Sequence, residues 1–346
     1  DVSWENQIQT NVGVDLRMFD SKLSFTADYF IKTVDDLLFS PTLSLYLGIP
    51  AYPVANIGKT ETKGYEISLS YGDEIAKNVS FNTTFNFTTA ENLVEEINNG
   101  DKYIWGSGYG IPYKNLTQFR QGESPGIFWG YKTDGIFQTQ AEVDAHATQS
   151  NAQPGDIRFV DVDGNGKIDG EDRTKIGDPH PDLIFGVNLN LAYKNWDMSM
   201  FWNGSIGNDI FDYTALYYET PYFFNGNRST AVLDSWSPSN TGAALPALSE
   251  TTLNNEFSTS NSFFVRDGSY VRLRTLQIGY TLPDTFASKL GASSARVYYN
   301  GSNLLTLTDF TGLDPEVPRG GALDIGVYSA QYPTNSISSL GINIKF

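Results

Sequence analysis

The sequence predicts an all-β fold: the C-terminal portion, about nine strands, of a large antiparallel transmembrane β-barrel of about 22 strands with long extracellular loops. Three observations lead to this prediction. Apolar and polar residues alternate along many segments of about ten residues. Aromatic side chains recur near the ends of these segments. The connections between the segments are short and very long in turn.

The alternation defines nine strands. In the first, Ile8, Val12 and Leu16 fall on one face and Gln9 falls on the other, which is typical of a sheet with one dry and one wet face. In chain order the alternating segments are 8–18, 23–32, 65–71, 79–88, 183–193, 196–202, 270–282, 296–305 and 338–346. In the seventh segment the apolar face switches near Thr275, which predicts a β-bulge there.

Strand length and the placement of aromatic residues favour a membrane barrel over a soluble sandwich. A tilted strand needs about 9–11 residues to cross a bilayer, whereas sandwich strands are usually shorter. A barrel also carries aromatic girdles at the membrane surfaces. The residues that fit such girdles are Tyr71, Tyr193, Trp196, Trp202 and Tyr280. No run of about 20 apolar residues is present, so any crossing of the membrane must use strands.

The connections separate into two classes, as in outer-membrane barrels, which have short periplasmic turns and long extracellular loops. Short turns follow Met18, Tyr71, Tyr193 and Leu282. Long connections cover roughly 33–60, 91–182, 207–265 and 307–336. If the first strand runs toward the periplasm, the ninth strand ends there too. The prediction therefore places the 91–182 loop outside the cell.

An odd number of strands leaves two unpaired sheet edges, which hydrocarbon does not tolerate. No signal peptide follows Asp1 either. We therefore expect residues 1–346 to be the C-terminal part of a receptor barrel whose plug and N-terminal domains lie outside this sequence. The last strand ends on the aromatic residue Phe346, which resembles the signal that outer-membrane barrels present to their insertion machinery.

Composition excludes several other classes of function. The net charge of −17 argues against a nucleic-acid partner, because phosphates need a basic face. The absence of cysteine excludes a thiolate metal site and a cysteine nucleophile. His146 and His180 are the only histidines, and neither lies in a metal or triad pattern. No catalytic motif is visible, so we do not expect an enzyme and predict no catalytic residues.

Several sequence blocks, spread over nearly the whole chain, resemble those of the SusC/RagA family of TonB-dependent outer-membrane transporters. Among them are Gly130–Phe137 (GYKTDGIF), Arg266–Arg274 (RDGSYVRLR) and Gly312–Glu316 (GLDPE). Further blocks lie at 4–15, 56–58, 63–66, 155–159, 176–179, 204–209, 279–283 and 303–306. Each block is weak alone, and their order and spacing together are specific.

The resemblance implies an importer of glycans or peptides in the cell outer membrane, working with a SusD-like lipoprotein. It also implies contact with the TonB complex through the missing N-terminal part, and with outer-membrane lipid and lipopolysaccharide. An alternative is that the barrel serves as a structural or binding scaffold in a larger outer-membrane complex. The substrate and the oligomeric state are not predicted, because loops set specificity and vary freely.

A calcium-loop pattern lies within the 91–182 loop. Oxygen ligands occur at positions 1, 3, 5, 9 and 12, and Gly166 at position 6 allows the sharp turn. The predicted ligands are Asp161, Asp163, Asn165, Lys167 (through its backbone carbonyl), Asp169 and Asp172. Position 12 departs from the pattern, because an Asp stands where a bidentate Glu is usual. We expect a structural Ca²⁺ that braces the loop; the alternative is an Asp- and Gly-rich turn without metal.

The 207–265 loop is rich in aromatic residues. They are Phe211, Tyr213, Tyr217, Tyr218, Tyr222, Phe223 and Phe224. Such side chains stack on a sugar, pack a peptide or fill the core of their own loop. We favour the last of these interpretations, and we leave the substrate-binding residues unassigned.

Overall fold

The computed structural model describes residues 2–39, 54–97, 102–106, 115–219, 226–248, 259–318, 321 and 323–346. In chain order the strands are β1 Asn6–Met18, β2 Leu23–Phe39, β3 Ala55–Ala76, β4 Val79–Ile97, β5 Tyr103–Trp105, β6 Thr117–Arg120, β7 Ile127–Tyr131, β8 Thr133–Ile136, β9 Ile157–Phe159, β10 Arg173–Gly177, β11 Leu183–Tyr193, β12 Trp196–Ile206, β13 Asp209–Asp212, β14 Val265–Asp267, β15 Tyr270–Thr281, β16 Ser294–Thr308, β17 Val327–Tyr328 and β18 Ile337–Lys345.

Helical structure is scarce and short. The α-helices are α1 Gln140–Ala145, α2 Ala215–Tyr218 and α3 Asp284–Ala287, and 3-10 helices occur at Gly170–Asp172, Thr230–Asp234, Ser262–Phe264 and Ser288–Leu290. Among the described residues, no helix has both the length and the apolar character needed to cross a membrane.

One antiparallel sheet of nine strands dominates the structure, in the order β1-β2-β3-β4-β11-β12-β15-β16-β18. The nine strands predicted from the alternation are therefore confirmed. Because neighbours follow one another along the chain, the short connections 19–22, 77–78, 194–195 and 282–293 meet at one end of the sheet, here called the turn end. The long connections between β2 and β3, β4 and β11, β12 and β15, and β16 and β18 meet at the other, the loop end.

The predicted β-bulge is confirmed as well. The register of β15 against β16 shifts between Leu273 and Thr275. The neighbouring strand β12 shifts against β15 at the same level, between Phe201 and Trp202. Against β12 the inserted residue is Arg274, so the bulge explains why the apolar face of this strand changes parity.

The two faces of the sheet differ in chemistry. On one face, apolar side chains lie opposite one another in register, as with Leu189, Met200 and Leu276 on three successive strands. The same face of the edge strand β18 leaves Leu340 86% and Ile342 70% exposed. A large apolar surface in contact with solvent is unfavourable, so this is the face that fits a lipid environment.

Aromatic residues cluster on this apolar face toward the turn end. The rings of Trp196 and Tyr280 are 4.7 Å apart, and Tyr71 lies 5.5 Å from Phe81. Tyr193 stays 46% exposed. These residues lie near the strand ends, where the sequence predicted one aromatic girdle.

The opposite face is polar and carries side chains of Asn, Ser, Thr and Gln. Its members include Asn82, Asn86, Asn188, Asn190, Ser199, Asn203, Gln277 and Asn300. Glycines on this face leave room for large side chains of the neighbouring strands. A Cβ placed on Gly64 would lie 2.5 Å from the Cζ atom of the Phe30 ring. These cross-strand contacts close the gaps that glycine leaves in the wall.

The strands extend farther toward the loop end than the alternation predicted. Strand β2 continues to Phe39, β3 already begins at Ala55 and β4 continues to Ile97. The boundaries predicted for the loops at 33–60 and 91–182 were therefore wrong by several residues. In these extensions apolar and polar residues do not alternate, and the side chains of Val94 and Ile97 are buried instead by the loops.

The long connections fold into a packed unit of their own. Their main core joins residues from three different connections: Leu116, Phe128, Ile157, Phe159, Phe211, Tyr213, Ala215, Leu216, Phe264 and Val327. Strand β13 pairs with β14 and also, in parallel, with β17 from the last connection. Because three of the connections contribute to the same core, these loops stabilise one another.

The prediction that the 207–265 aromatic residues fill a loop core holds for the buried ones. Phe211 is fully buried, Tyr213 is 7% exposed, and Tyr217 packs against the same core. Tyr218 is 51% exposed. The remaining three, at 222–224, lie outside the described residues.

Candidate metal loop and loop anchor

The candidate metal loop connects β9 to β10 and closes through backbone hydrogen bonds to its own carboxylates. Asp161 accepts hydrogen bonds from the backbone N–H groups of Gly164 at 2.8 Å and Gly166 at 2.8 Å. Both glycines have positive φ, 74° and 82°, where a side chain would be strained. The hydrogen bond from Gly166 is the largest cause that holds the pKa of Asp161 below its ordinary value. The loop thus keeps this carboxylate ionised.

Three carboxylates of the predicted ligand set converge. Asp161, Asp163 and Asp172 each offer one oxygen, and these oxygens lie within 4.8 Å of one another. Two oxygens that share one Ca²⁺ at about 2.4 Å are separated by at most about 4.8 Å, so the spacing fits this ion. Asp172 is fully buried and accepts from the N–H groups of Val162 and Asp169, both at 2.8 Å.

The other predicted ligands lie around this cluster. Asn165 is hydrogen-bonded to Asp163, and its amide oxygen accepts from the N–H of Lys167 at 2.8 Å. Asp169 caps the following 3-10 helix, because its carboxylate accepts from the N–H of Glu171 at 3.0 Å. Its carboxylate is outside the converging group of three, so a contact between Asp169 and an ion would run through water.

The metal loop is fixed to the rest of the loop unit. Thr148 donates its N–H to the carbonyl of Gly166 at 2.9 Å and accepts from the N–H of Ile168 at 3.1 Å. The side chain of Ile168 packs against the main loop core. The conformation of the metal loop is therefore coupled to the packing of the main loop core.

An ion cluster, here called the loop anchor, ties the last connection to the polar face of the sheet. Arg272 on β15 is 3% exposed and donates to Asp314 at 2.5 Å and to Glu316 at 2.9 Å. Arg274, the bulge residue, also pairs with Glu316. Asp314 in turn accepts from the N–H of Thr334 at 2.8 Å.

Sequence reasoning did not assign a role to these four charged residues, although they lie in two of the blocks quoted above. A signal was available: Arg272 and Arg274 place two charges within a strand that otherwise alternates. Charges at such positions require partners in a barrel wall, and the long connection 309–336 supplies them.

Both histidine side chains contact backbone carbonyl groups of the loops. The Nε2 atom of His146 lies 2.8 Å from the carbonyl oxygen of Phe159, and that of His180 lies 2.8 Å from the carbonyl oxygen of Pro125. Phe346, the predicted insertion signal, is 86% exposed just after the end of β18.

The polar face forms a concave surface at the turn end, with a volume of about 1000 Å³ lined by Asn82, Asn190, Ser199 and Gln277 among others. The ion pair between Arg296 and Asp197 lies on the same face. An apolar convex face and a polar concave face together match the wall of a membrane barrel that encloses a polar lumen.

Comparison with known proteins agrees with this geometry. The chain is 36% identical over 355 residues to the TonB-dependent receptor P3 of Formosa agariphila and 26% identical over 352 residues to the TonB-dependent receptor SusC of Bacteroides thetaiotaomicron. All of this chain is covered in both comparisons. The chain belongs to the SusC/RagA family of TonB-dependent receptors. No protein-family model matches it.

The fold agrees with a solved member of the SusC/RagA family. The RagAB peptide transporter superposes with a TM-score of 0.79 at 22% identity and covers the whole chain. The chain spans 36% of that protein and 34% and 32% of the two receptors named above, so it covers about a third of its relatives' length. Its sheet corresponds to the C-terminal part of their large outer-membrane barrel. The SusC/RagA family is one of receptors and transporters, not of enzymes.

Proposed function

We propose that the protein is an importer of glycans or peptides in the outer membrane, driven through TonB. The observation that carries this proposal is the similarity to TonB-dependent receptors along all of the chain, at 36% identity in one case. The polar concave face supports it, because a solute path needs a wetted wall. The proposal covers both substrate classes, since loops rather than the sheet would set specificity.

We further propose two macromolecular partners. A SusD-like surface lipoprotein would cover the loop end, where several long connections pack together around one core. The TonB complex would contact the N-terminal part of the full receptor. The apolar face and its aromatic residues would contact outer-membrane lipid and lipopolysaccharide.

Uptake in cells tests the proposal. Deletion of the receptor gene should abolish growth on the oligomeric nutrient that the receptor takes up, and the full-length wild-type gene should restore it. A receptor without its TonB-contacting segment should assemble in the membrane and fail to restore growth. Restoration of growth by that variant would contradict the importer and favour the scaffold function.

We also propose that the metal loop binds a structural Ca²⁺. The convergence of Asp161, Asp163 and Asp172 supports the proposal, because three carboxylates this close repel one another unless a cation lies among them. Asn165 and the carbonyl of Lys167 would complete the inner ligands, and Asp169 would bind through water. The ion would brace the loop unit through Ile168 and the main loop core.

Calcium titration of the full receptor tests this site. Asp161→Ala should remove one Ca²⁺ per receptor and should speed proteolysis within 98–182, as EDTA does in the wild type. Glu171→Ala is the matched control, because it removes an exposed carboxylate of the same loop outside the ligand positions. The proposal is wrong if EDTA leaves proteolysis of the wild-type loop unchanged.

A further inference from the structure

One face of the small sheet β10-β7-β6-β5 carries three aromatic rings around an arginine. The register places Tyr103 opposite Arg120 and Trp105 opposite Gln118. Trp129 joins them, because its ring lies 4.0 Å from the Arg120 guanidinium carbon. These five residues are called the aromatic–arginine face.

The other face of the same sheet is already occupied. Ile104 and Phe119 are buried in a second core, together with Ile57, Val94 and Ile97 of the barrel strands. The sheet is thus fixed on one side to the extended wall, and its aromatic–arginine face is directed away from that wall. Neither function proposed so far uses this face.

The arginine is held rigidly. Its guanidinium carbon also lies 5.4 Å from the ring centroid of Tyr103, so the group lies between two rings. Tyr103 and Trp105 meet edge to face with their centroids 5.4 Å apart. Cation–π contacts of this kind fix the orientation of a guanidinium and leave its in-plane N–H donors free for other partners.

Among the described residues, no carboxylate pairs with the guanidinium of Arg120 on this face. Within the described part of the chain, the arginines that pair with carboxylates are Arg158, Arg266, Arg272, Arg274 and Arg296, and Arg120 is not among them. Among the described residues, Arg120 donates to the side-chain oxygen of Gln118, at 3.3 Å. The amide nitrogen of Gln118 is buried, and no partner for it occurs among the described residues.

The chain has 40 acidic and 23 basic residues, so most arginines have carboxylates available as partners. An arginine that lies between aromatic rings without a carboxylate can therefore bind the anionic group of a ligand. We propose that the aromatic–arginine face binds an acidic sugar unit of a glycan. The C–H face of the sugar ring would stack on Trp105 and Tyr103, and its carboxylate or sulfate would accept hydrogen bonds from Arg120. This inference rests on the proposed import function and narrows its substrate class.

The chemistry favours an acidic glycan over a peptide. A peptide backbone brings N–H donors as well as carbonyls, and the one side-chain amide oxygen on this face is already used by Arg120. The guanidinium of Arg120 has donors only, whereas Gln118 is fully buried and serves to hold that guanidinium. Carboxylates and sulfates are acceptors only, so they match this surface without leaving a donor unpaired.

Titration calorimetry on the full receptor in detergent tests the proposal. The probes are tetragalacturonate, a sulfated galactose tetrasaccharide, neutral maltotetraose and tetraglutamate. Arg120→Gln should weaken binding of the acidic sugars about tenfold or more, as expected for loss of a charge-assisted hydrogen bond. Trp105→Leu should weaken binding as well. Lys102→Gln is the matched control: it removes the same charge from an exposed neighbour and should change affinity less than about twofold.

Three results would overturn the proposal. The wild-type receptor binds neither acidic sugar; or Arg120→Gln and Lys102→Gln have equal effects; or tetraglutamate binds through Arg120 more tightly than both acidic sugars, which makes the face a peptide site. Failure of this site can be distinguished from failure of the import function. If acidic sugars bind through Arg120 but are not taken up, import alone is refuted. If they are taken up and Arg120→Gln binds them as the wild type does, this site alone is refuted.

Discussion

The substitution Asp314→Asn should release the last connection from the barrel wall. Asp314 accepts from the nearly fully buried Arg272 at 2.5 Å and from the backbone N–H groups of Glu316 at 3.0 Å and Thr334 at 2.8 Å. Asparagine keeps one acceptor oxygen and loses the charge. The arginine would then be buried with Glu316 as its single remaining carboxylate partner.

The magnitude follows from the burial of the pair. Removal of one partner from a buried ion pair typically costs about 3–5 kcal/mol. The carboxylate of Glu316 is 39% exposed and remains 2.9 Å from Arg272, so part of the charge stays compensated. We therefore expect a local destabilisation of about 2–3 kcal/mol. Because about 1.4 kcal/mol corresponds to a factor of ten, local opening should become about 30- to 150-fold more frequent.

Hydrogen exchange followed by mass spectrometry measures this opening at the amides of Glu316 and Thr334 in the full receptor. Asp309→Asn is the matched control, since Asp309 is exposed in the same connection. Exchange in β15 should stay unchanged in both variants. Equal exchange rates for Asp314→Asn and Asp309→Asn would refute the role of the loop anchor.

The loop anchor should not respond to pH near neutrality. Burial alone would raise the pKa of Asp314, but hydrogen bonds from Arg272, Thr334 and Glu316 outweigh it and hold this pKa below its ordinary value. A carboxylate with a lowered pKa contributes stability above about pH 4, and that stability is lost as the pH falls through the lowered value. The protection factors of the anchor amides, which correct for the intrinsic rise of amide exchange with pH, should therefore be flat between about pH 5 and 8.

Three further predictions concern other parts of the chain. Gly64→Ala should destabilise the barrel by about 1–3 kcal/mol, seen as a lower unfolding temperature than in Ser68→Ala, because its Cβ would meet the backbone carbonyl oxygen of Thr89 as well as the ring of Phe30. Burial raises the pKa of Asp156 to about 6, so its segment should resist proteolysis better at pH 5 than at pH 7, by about 1 kcal/mol after allowance for solvent screening; Asp156→Asn should remove this difference, and a more labile wild type at pH 5 would contradict it. Phe346→Ala should lower the amount of receptor in the outer membrane without changing the unfolding temperature of the assembled fraction, and an unchanged amount would refute the insertion signal.

The membrane-spanning part of the fold was predictable because the environment imposes a period of two. Lipid on one face and water on the other force residues such as Leu189 and Asn190 to alternate, and the sequence shows this directly. The bulge at Thr275 was also visible as a break in that period. The convergence of Asp161, Asp163 and Asp172 fits the spacing of the calcium-loop pattern, and the Ca²⁺ itself stays a prediction.

The loop unit was not predictable in the same way. Phe128 and Leu116 are buried by partners from other connections, so their burial leaves no local period in the sequence. Short strands such as β6 show no alternation of apolar and polar residues, because Gln118 and Phe119 on opposite faces are both buried. The ends of β2 and β4 were missed because the loops, rather than lipid, cover them there.

Cysteine accessibility along one strand tests the central claim, that this sheet is the wall of an outer-membrane barrel. These 346 residues contain no cysteine, so cysteines introduced one at a time at Asn188, Leu189 and Asn190 report on adjacent positions of β11 when labelling is compared with that of the unsubstituted receptor. In the full receptor in its membrane, Leu189→Cys should be protected from a charged aqueous thiol reagent and contacted by a lipid-linked label. Asn188→Cys and Asn190→Cys should show the reverse. Equal labelling of all three positions by the aqueous reagent would contradict the barrel wall.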